Sequence, residues 1–324
     1  MATETYLEFE KAIVELDNKI AELRLLSGER LDIKSEIATL EQKAENLRRD
    51  IYKNLSPWQI VQVSRHPQRP HTLDYIQGAF DKFVELHGDR AFIDDRALVG
   101  GLAWLEGRPV VVLGTQKGKD TKENLKHNFG LPLPEGYRKA LRLMRLAEKF
   151  NLPVVTLVDT AGAFPGLEGE ERGVAEAIAH NLRDMSTLRV PIVVVIIGEG
   201  GSGGALGIGV GDRVAMLQNS SYSVITPEGC AAILWKDRSQ APKAAEILRL
   251  TAPDLKRLGV IEDVIAEPLG GAHRDQGAMI QSVKSYLLGV LPDLQAQPTE
   301  ALLQKRYQKF RSIGVFDTLP KAGN

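Results

Sequence analysis

The chain has 324 residues, of which 43% are hydrophobic and 26% are charged, and its formal net charge is −1. These values are ordinary for a globular protein and give no electrostatic reason to expect binding to nucleic acid or to an acidic membrane surface. The single cysteine, Cys230, excludes an internal disulfide framework and a cysteine zinc site, which favours a reducing compartment. Because no apolar run reaches the roughly 20 residues of a membrane helix and no targeting segment is evident, we expect a cytoplasmic protein, or a plastid-stromal one only if it is plastid-encoded.

The first 55 residues predict a helical hairpin. Apolar residues recur every three or four positions over residues 9–23 and again over residues 33–51, and Gly28 marks the break between the two helices. Two arrangements remain open for this segment. The hairpin either packs on its own domain or contacts another subunit.

Residues 56–72 are predicted to form an extended connector, because two X-Pro units lie between positions 66 and 70. His66 and His71 are candidates for a metal pair. The sequence places no third ligand at ligand spacing, so no metal site is predicted in this chain.

Helix and strand signals alternate in a domain that we bound at residues 73–294. The apolar runs at 109–115, 153–158 and 191–197 each begin with proline, which is typical of buried parallel strands joined by helices. The other predicted elements are helices at 73–87, 135–149, 170–185, 228–235, 240–251, 253–258 and 299–309, a short helix from Gly203, and strands at 97–105, 213–217, 222–225 and 260–265, with residues 295–324 as a C-terminal helix and tail.

Two glycine-rich segments follow two of the apolar strands. The first glycine segment is 159–166 (DTAGAFPG), and the second glycine segment is 198–207 (GEGGSGGALG). A strand followed by a glycine turn and a helix start presents backbone N–H groups outward, an arrangement that binds an anion or a developing oxyanion. The sequence therefore predicts chemistry by main-chain dipoles rather than by a side-chain triad.

The second glycine segment also matches two other motifs. A G-x-G-x-x-G pattern begins at Gly198, but the next strand ends at 216–218 without the carboxylate that a dinucleotide ribose requires. A G-x-S-x-G pattern surrounds Ser202, and Asp263 and His273 follow it in hydrolase order. A nucleophile elbow places its serine directly after the strand, whereas Ser202 is expected about five residues beyond it. We therefore interpret Ser202 as a small residue that lets the backbone approach a ligand.

Several charged residues have more than one interpretation. Asp159, at the end of its strand, is interpreted as a turn-forming carboxylate rather than a general base. The basic loop at 117–122 either faces solvent or contacts an anionic group of a ligand. Arg138, Arg142 and Arg145 share one helix face, where we expect ion pairs or a subunit contact.

Short segments in a fixed order along the chain match one known pattern: 66–70 (HPQRP), 114–118 (GTQKG), 128–130 (NFG), 134–140 (PEGYRKA), the first glycine segment, 170–173 (EERG), the second glycine segment, 223–230 (SVITPEGC) and 267–274 (EPLGGAHR). By these segments and its N-terminal helical pair, the chain resembles the family of carboxyltransferase α subunits of bacterial and plastid-type multisubunit acetyl-CoA carboxylase. The resemblance implies an α/β fold of the crotonase superfamily, a spiral of ββα repeats preceded by the N-terminal helical hairpin.

The resemblance also implies an activity and partners. The family transfers the carboxyl group of carboxybiotin, held on the biotin carboxyl carrier protein, to acetyl-CoA and forms malonyl-CoA for fatty-acid biosynthesis. The implied partners are a carboxyltransferase β subunit that carries a zinc ribbon, in an α2β2 assembly, together with the carrier protein and biotin carboxylase. Since biotin supplies its own base in this chemistry, two oxyanions need stabilisation, which suits fixed backbone donors.

Site residues come from the matching positions. The resemblance gives this chain the biotin side of the active site, and which glycine pair faces biotin stays open. Two alternatives remain: a stand-alone crotonase-like acyl-CoA enzyme, which would add an acid or base side chain in the cleft, and a non-catalytic scaffold. The candidate oxyanion donors are the backbone N–H groups of Gly162, Ala163, Gly203 and Gly204, and the candidate biotin-binding residues are Gly200, Gly201, Ser202, Phe164, Pro227 and Glu228.

Overall fold

A computed structural model describes residues 6–26 and 31–315, so the predicted break at Gly28 lies outside the described residues. The strands are β1 (Lys82–Glu85), β2 (Leu98–Leu105), β3 (Arg108–Thr115), β4 (Val154–Thr160), β5 (Ile192–Gly201), β6 (Arg213–Leu217), β7 (Ser221–Ser223) and β8 (Asp263–Ile265). The helices are α1 (Lys11–Leu26), α2 (Leu31–Lys53), α3 (Pro57–Ser64), α4 (Thr72–Ala79), α5 (Thr121–Lys126), α6 (Pro134–Lys149), α7 (Leu167–Glu171), α8 (Val174–Thr187), α9 (Ser202–Leu206), α10 (Pro227–Trp235), α11 (Ala241–Leu248), α12 (Ala252–Arg257), α13 (Gln276–Gln295) and α14 (Thr299–Arg311).

The strands form one mixed sheet in the order β1-β2-β3-β4-β5-β6-β8, and β7 pairs with the end of β5. The pairs β1–β2 and β2–β3 are antiparallel, and all later pairs are parallel. Parallel strands end at the same edge of a sheet, so the glycine segments after β4 and within β5 are brought together there.

The sheet is buried on both faces. Alternate residues of β4 join two different cores: Leu157 packs in the core with Met279 and Val283 of α13, and Val158 packs in the core with Leu143 of α6. Helices on both faces explain why these strands are continuous apolar runs instead of alternating patterns.

The N-terminal hairpin is confirmed for the described residues. Ile20 of α1 packs on Ile37 and Ala44 of α2. The base of the hairpin contacts the main domain, because Asp17 accepts a hydrogen bond from Arg274 at 2.9 Å. Among residues 6–26 and 31–315, no helix is both long and apolar enough to cross a membrane.

Several predicted elements differ from the structure. The extended connector is wrong over α3, which begins at Ser56 with a capping box that Gln59 completes. The helix at 73–87 ends at Ala79, and β1 follows it. The helix at 170–185 is divided at Gly173, whose φ of 78° is left-handed and incompatible with a continuous helix.

Besides α3, helices α5 and α13 were not predicted. Helix α5 occupies part of the basic loop and begins at Asp120, whose side chain accepts a hydrogen bond from the Glu123 N–H. Helix α13 begins at Asp275 in the same way, and its apolar residues fill the core under the sheet. Asx N-caps of this kind are visible in sequence, and they are the signal that finds both helices.

Candidate active site

The two glycine segments touch one another at the carboxyl ends of β4 and β5. A Cβ atom on Gly201 would lie 2.1 Å from the carbonyl oxygen of Ala161. One on Gly204 would lie 2.2 Å from the carbonyl carbon of Gly162 and 2.5 Å from the nitrogen of Ala163. Because atoms cannot approach so closely, only glycine at positions 201 and 204 allows this contact. The predicted donor pairs are therefore adjacent in the fold.

The predicted N–H donors differ in availability. The Gly162 N–H already donates to Thr160 Oγ1 at 3.1 Å. Gly203 lies in the first turn of α9, where N–H groups have no intrahelical acceptor, and it is half-buried, as is Ala163. Gly204 is buried. The space beside Gly162 is open, since a Cβ atom there would meet nothing within 4 Å, whereas a Cβ atom at Gly203 would contact Ile178 at 3.6 Å.

The remaining predicted site residues fall into three groups. Gly200, Gly201 and Pro227 line one small cleft, and the neighbouring Glu228 binds Arg65 of the same cleft. Ser202 lines a different, mainly apolar pocket. The Phe164 ring packs over Gly166 inside the first glycine segment, where a Cβ atom on Gly166 would lie 2.3 Å from the ring.

The position of Ser202 differs from the prediction. Strand β5 continues to Gly201, so Ser202 comes directly after the strand, and its φ of 50° is left-handed as in a nucleophile elbow. The sequence argument against the elbow was therefore wrong. The hydrolase is nevertheless unsupported, because Asp263 accepts a hydrogen bond from Tyr286 and His273 stacks on His66 with ring centroids 3.9 Å apart.

An ionic network joins the beginnings of the two glycine segments, because it includes Asp159 of the first segment and Glu199 of the second. Lys117 Nζ is 2.8 Å from Asp159 Oδ1 and 2.9 Å from Glu199 Oε2. Arg65 pairs with the other oxygen of Glu199, and His71 Nδ1 lies 3.2 Å from Asp159 Oδ2. Asp159 and Glu199 lie near the carboxyl ends of β4 and β5. The other three residues lie just outside an element: Lys117 after β3, Arg65 after α3 and His71 before α4.

The charges in this network stabilise one another. Burial lowers the pKa of the Lys117 ammonium, but attraction to Asp159 and Glu199 outweighs burial and raises that pKa well above its usual range. Burial likewise raises the pKa of the Asp159 carboxyl, yet Lys117 and His71 hold it far below its usual value. The pKa of Glu199 is also lowered, against burial, by Lys117 and Arg65. Asp159 is therefore a paired carboxylate rather than a free general base.

Sequence reasoning missed most of this network. Asp159 was noted only as a turn residue, Lys117 was assigned to a basic loop, and Glu199 was counted only as part of a glycine segment. The available signal is chemical, because Asp159 and Glu199 interrupt or end strongly apolar strands, where a charged residue needs a partner.

His66 and His71, considered in the sequence as a candidate metal pair, have different neighbours in the structure. His71 belongs to the ionic network, while His66 lies beside His273 and Glu10, and ligand atoms of these three are all within 4.8 Å of one another. The sequence thus failed to find two neighbours of His66. His66 Nδ1 accepts a hydrogen bond from the Gln68 N–H at 3.2 Å. In a neutral ring the proton is then on Nε2. A histidine that binds a metal through Nε2 needs that nitrogen unprotonated, so this tautomer does not favour a metal ligand.

Comparison with solved structures defines the class of fold. A Pseudomonas malonate decarboxylase hetero-tetramer in complex with coenzyme A contains a chain that superposes with a TM-score of 0.60 at 17% identity, covering 74% of this chain and 95% of that chain. The transcarboxylase 12S hexamer core gives a TM-score of 0.54 at 19% identity, covering 79% of this chain and 44% of that chain. The predicted crotonase-like α/β fold is confirmed.

Sequence comparison gives the family. The profile described as acetyl co-enzyme A carboxylase carboxyltransferase-like matches residues 6–314. The acetyl-coenzyme A carboxylase carboxyl transferase subunit alpha of Thiobacillus denitrificans is 59% identical over 317 residues, covering 98% of each chain. The subunit of the same name from Cronobacter sakazakii is 57% identical over 313 residues, covering 95% of this chain and 98% of the relative. The chain belongs to the acetyl-CoA carboxylase carboxyltransferase family, as the sequence resemblance predicted.

Proposed function

We propose that this chain is the α half of a carboxyltransferase that moves a carboxyl group from carboxybiotin to acetyl-CoA and forms malonyl-CoA. Family membership over nearly the whole chain supports the reaction. The observation that supports the mechanism is the direct contact of the two glycine segments, in which the half-buried residues Ala163 and Gly203 are our candidates for the N–H donors.

The residues fit ligands on whose oxygens negative charge develops during the reaction. Biotin, when bound, supplies the carboxyl group and its own base, so the protein is required to orient the reactants and to stabilise negative charge. The open space beside Gly162 leaves room for a ligand to approach the main chain there. Fixed N–H donors in such a position stabilise a developing oxyanion, and loss of one costs about 2.7–4 kcal/mol in the barrier.

The surrounding side chains do not provide an alternative general base. Asp159 and Glu199 are held ionised by cations, and each has more than one partner. Ser202 has neither of the proposed triad members beside it. This arrangement favours the carboxyltransferase over a stand-alone crotonase-like enzyme that uses an acid or base side chain.

We propose that the active site is completed by a β subunit, with a carrier protein delivering the biotin. The small cleft lined by Gly200, Gly201 and Pro227 also includes Ala161 of the first glycine segment and Arg65, the ion-pair partner of Glu228. Its walls, rather than its small volume, are our candidate for part of the biotin side. Phe164 is a packing residue of the first segment in this arrangement, and Ser202 faces the apolar pocket where a partner would approach.

The biotin-side assignment is tested by steady-state kinetics of the assembled α–β complex in the reverse direction, with malonyl-CoA and a free biotin analogue. Gly201→Ala forces the two glycine segments apart, so we expect kcat to fall. We also expect the KM for the biotin analogue to rise by about tenfold or more while the KM for malonyl-CoA changes by less than about threefold. Gly289→Ala, in α13, is the control, because a Cβ atom there meets nothing within 4 Å. A larger change in the KM for malonyl-CoA would contradict the assignment.

A further inference from the structure

We propose that Lys117 is a positioning residue of the carboxyl transfer: its ammonium holds the ends of β4 and β5 in the arrangement that brings the two glycine segments together. This inference rests on the proposed function, since the transfer reaction is its readout. It concerns a residue that contacts neither glycine segment's donor N–H groups and acts through Asp159 and Glu199.

The first step is that the Lys117 site is built into the fold. The side chain is 15% exposed, and the two carboxylates that it joins are 4% and 10% exposed. Gly130, with a φ of 74°, packs against the stem of Lys117, because a Cβ atom there would lie 2.6 Å from Lys117 Cγ. A left-handed glycine therefore makes room for this side chain.

The second step is the local geometry of the strands. The β4–β5 register changes from the pair Val158–Ile196 to the pair Thr160–Gly200, so β5 carries extra residues opposite Asp159. Asp159 Oδ1 also accepts a hydrogen bond from the Glu199 N–H at 3.0 Å. A bulge of this kind bends its strand and redirects the next residues of the chain, here those of the second glycine segment.

The third step is electrostatic. Without Lys117, the Asp159 and Glu199 carboxylates would lie in a buried site without the ammonium group that contacts both of them. Two neighbouring buried carboxylates reduce their repulsion either by moving apart or by the protonation of one of them. Moving apart would separate the ends of β4 and β5 and open the contact between Gly204 and Gly162. Besides Lys117, the groups that face these two carboxylates are Arg65 and His71 of the network, together with Arg69, and Glu228 pairs with Arg65.

The test uses the α–β complex with malonyl-CoA and a free biotin analogue, over about pH 6 to 9. Lys117→Met keeps a stem of similar length without the charge. We expect kcat to fall about 10²-fold, as for a displacement of about 1 Å in a site, with each KM within about threefold of wild type. We expect the loss to deepen as pH rises, because protonation of one carboxylate at lower pH relieves the repulsion.

Two further variants separate positioning from a general structural role. Lys117→Arg keeps the cation and is expected to retain more kcat than Lys117→Met. The double variant Lys117→Met/Glu199→Gln removes one of the two facing charges, and we expect it to recover about tenfold of the lost kcat and to lose the pH dependence. Glu199→Gln keeps an amide oxygen that can accept from Arg65.

The inference is overturned if assembled Lys117→Met retains kcat within about threefold of wild type, or if its loss is independent of pH and unchanged in the double variant. Wild-type complex without transfer activity would instead reject the proposed function. If Lys117→Met does not fold, the double variant alone tests the proposal. A folded double-variant complex whose rate, at every pH, is no higher than that of the β subunit alone contradicts the proposal. A measurable kcat of that complex supports it.

Discussion

The contact between the glycine segments predicts opposite outcomes for two neighbouring alanine substitutions. In Gly204→Ala, the new Cβ atom would lie 2.2 Å from the Gly162 carbonyl carbon, far inside the 3.4 Å at which ordinary contact begins. In Gly203→Ala, the new Cβ atom would meet Ile178 at 3.6 Å, an ordinary contact. Both residues lie in the first turn of α9, and neither has a positive φ, so helix propensity and backbone strain are the same for the two changes.

The magnitude is set by the displacement. To accept Gly204→Ala, the two segments must separate by about 1 Å, and a misplacement of this size costs about 10²-fold in rate, or about 2.7 kcal/mol in the barrier. Overpacking also lowers the free energy of unfolding by about 1–3 kcal/mol. We expect Gly203→Ala to keep near-wild-type kcat and unchanged or slightly raised stability, because alanine favours a helix by up to about 1 kcal/mol over glycine.

The assay is the reverse transfer by the α–β complex, with thermal unfolding measured on the same preparations. Both variants must first be shown to form the complex by size-exclusion chromatography. Equal kcat for the two variants would refute the reasoning, since the structure distinguishes them only by what the added Cβ atom meets.

Three other changes to the chain have expected outcomes. Ser202→Gly should keep kcat within about threefold of wild type, because Ser202 is not a nucleophile. It should raise the free energy of unfolding by up to about 1 kcal/mol, because the backbone of Ser202 is left-handed. A loss of kcat of about 10³-fold or more would restore the hydrolase interpretation. Burial raises the pKa of Glu10, but the nearby His273 ring, 3.6 Å away, and hydrogen bonds from the Tyr52 hydroxyl and the Leu7 N–H outweigh burial and lower that pKa from 4.5 to about 2. Glu10→Gln should therefore destabilise the chain above about pH 5. The difference in melting temperature should shrink as pH falls from about 5 towards 3, since a lowered pKa stabilises the fold only while the carboxyl is ionised, and a constant difference would contradict the assignment. Replacing residues 18–47 by a short linker keeps the base of the hairpin, where Arg48 and Asp17 are 2.8 Å apart. We expect this change to weaken assembly with the β subunit, measured by size-exclusion chromatography, more than it lowers the melting temperature. Intact assembly would reject the hairpin as a subunit contact.

The fold was predictable where one local signal dominated. Continuous apolar runs identified β3, β4 and β5, and the helix at 135–149 matched α6 to within one residue. Local signals failed where the chain changes direction without a proline, as at Ala79, where a helix gives way to an edge strand. Helix α13 was missed although Asp275 caps it, because Pro292 lies inside it and proline is a poor helix former.

The site was predictable as a pair of glycine segments, but their contact was not. The closeness of Gly204 to Gly162 depends on the register shift between β4 and β5, which is a property of the paired strands and not of either sequence alone. The same holds for Lys117, because its partners are 42 and 82 positions away and meet it only through the order of strands in the sheet. The residue types in the sequence therefore indicate which groups can bind an anion or form an ion pair, whereas the order and register of the strands determine which of these groups meet.

The claim that this chain holds half of a shared active site is tested most directly by titration of the β subunit into a fixed amount of the chain. The measured quantity is the malonyl-CoA-dependent carboxylation of a free biotin analogue. We expect no activity from either chain alone and a rate that rises with added β subunit until the two are equimolar. Activity from this chain alone, or a complex that forms without any activity, would contradict the shared-site account.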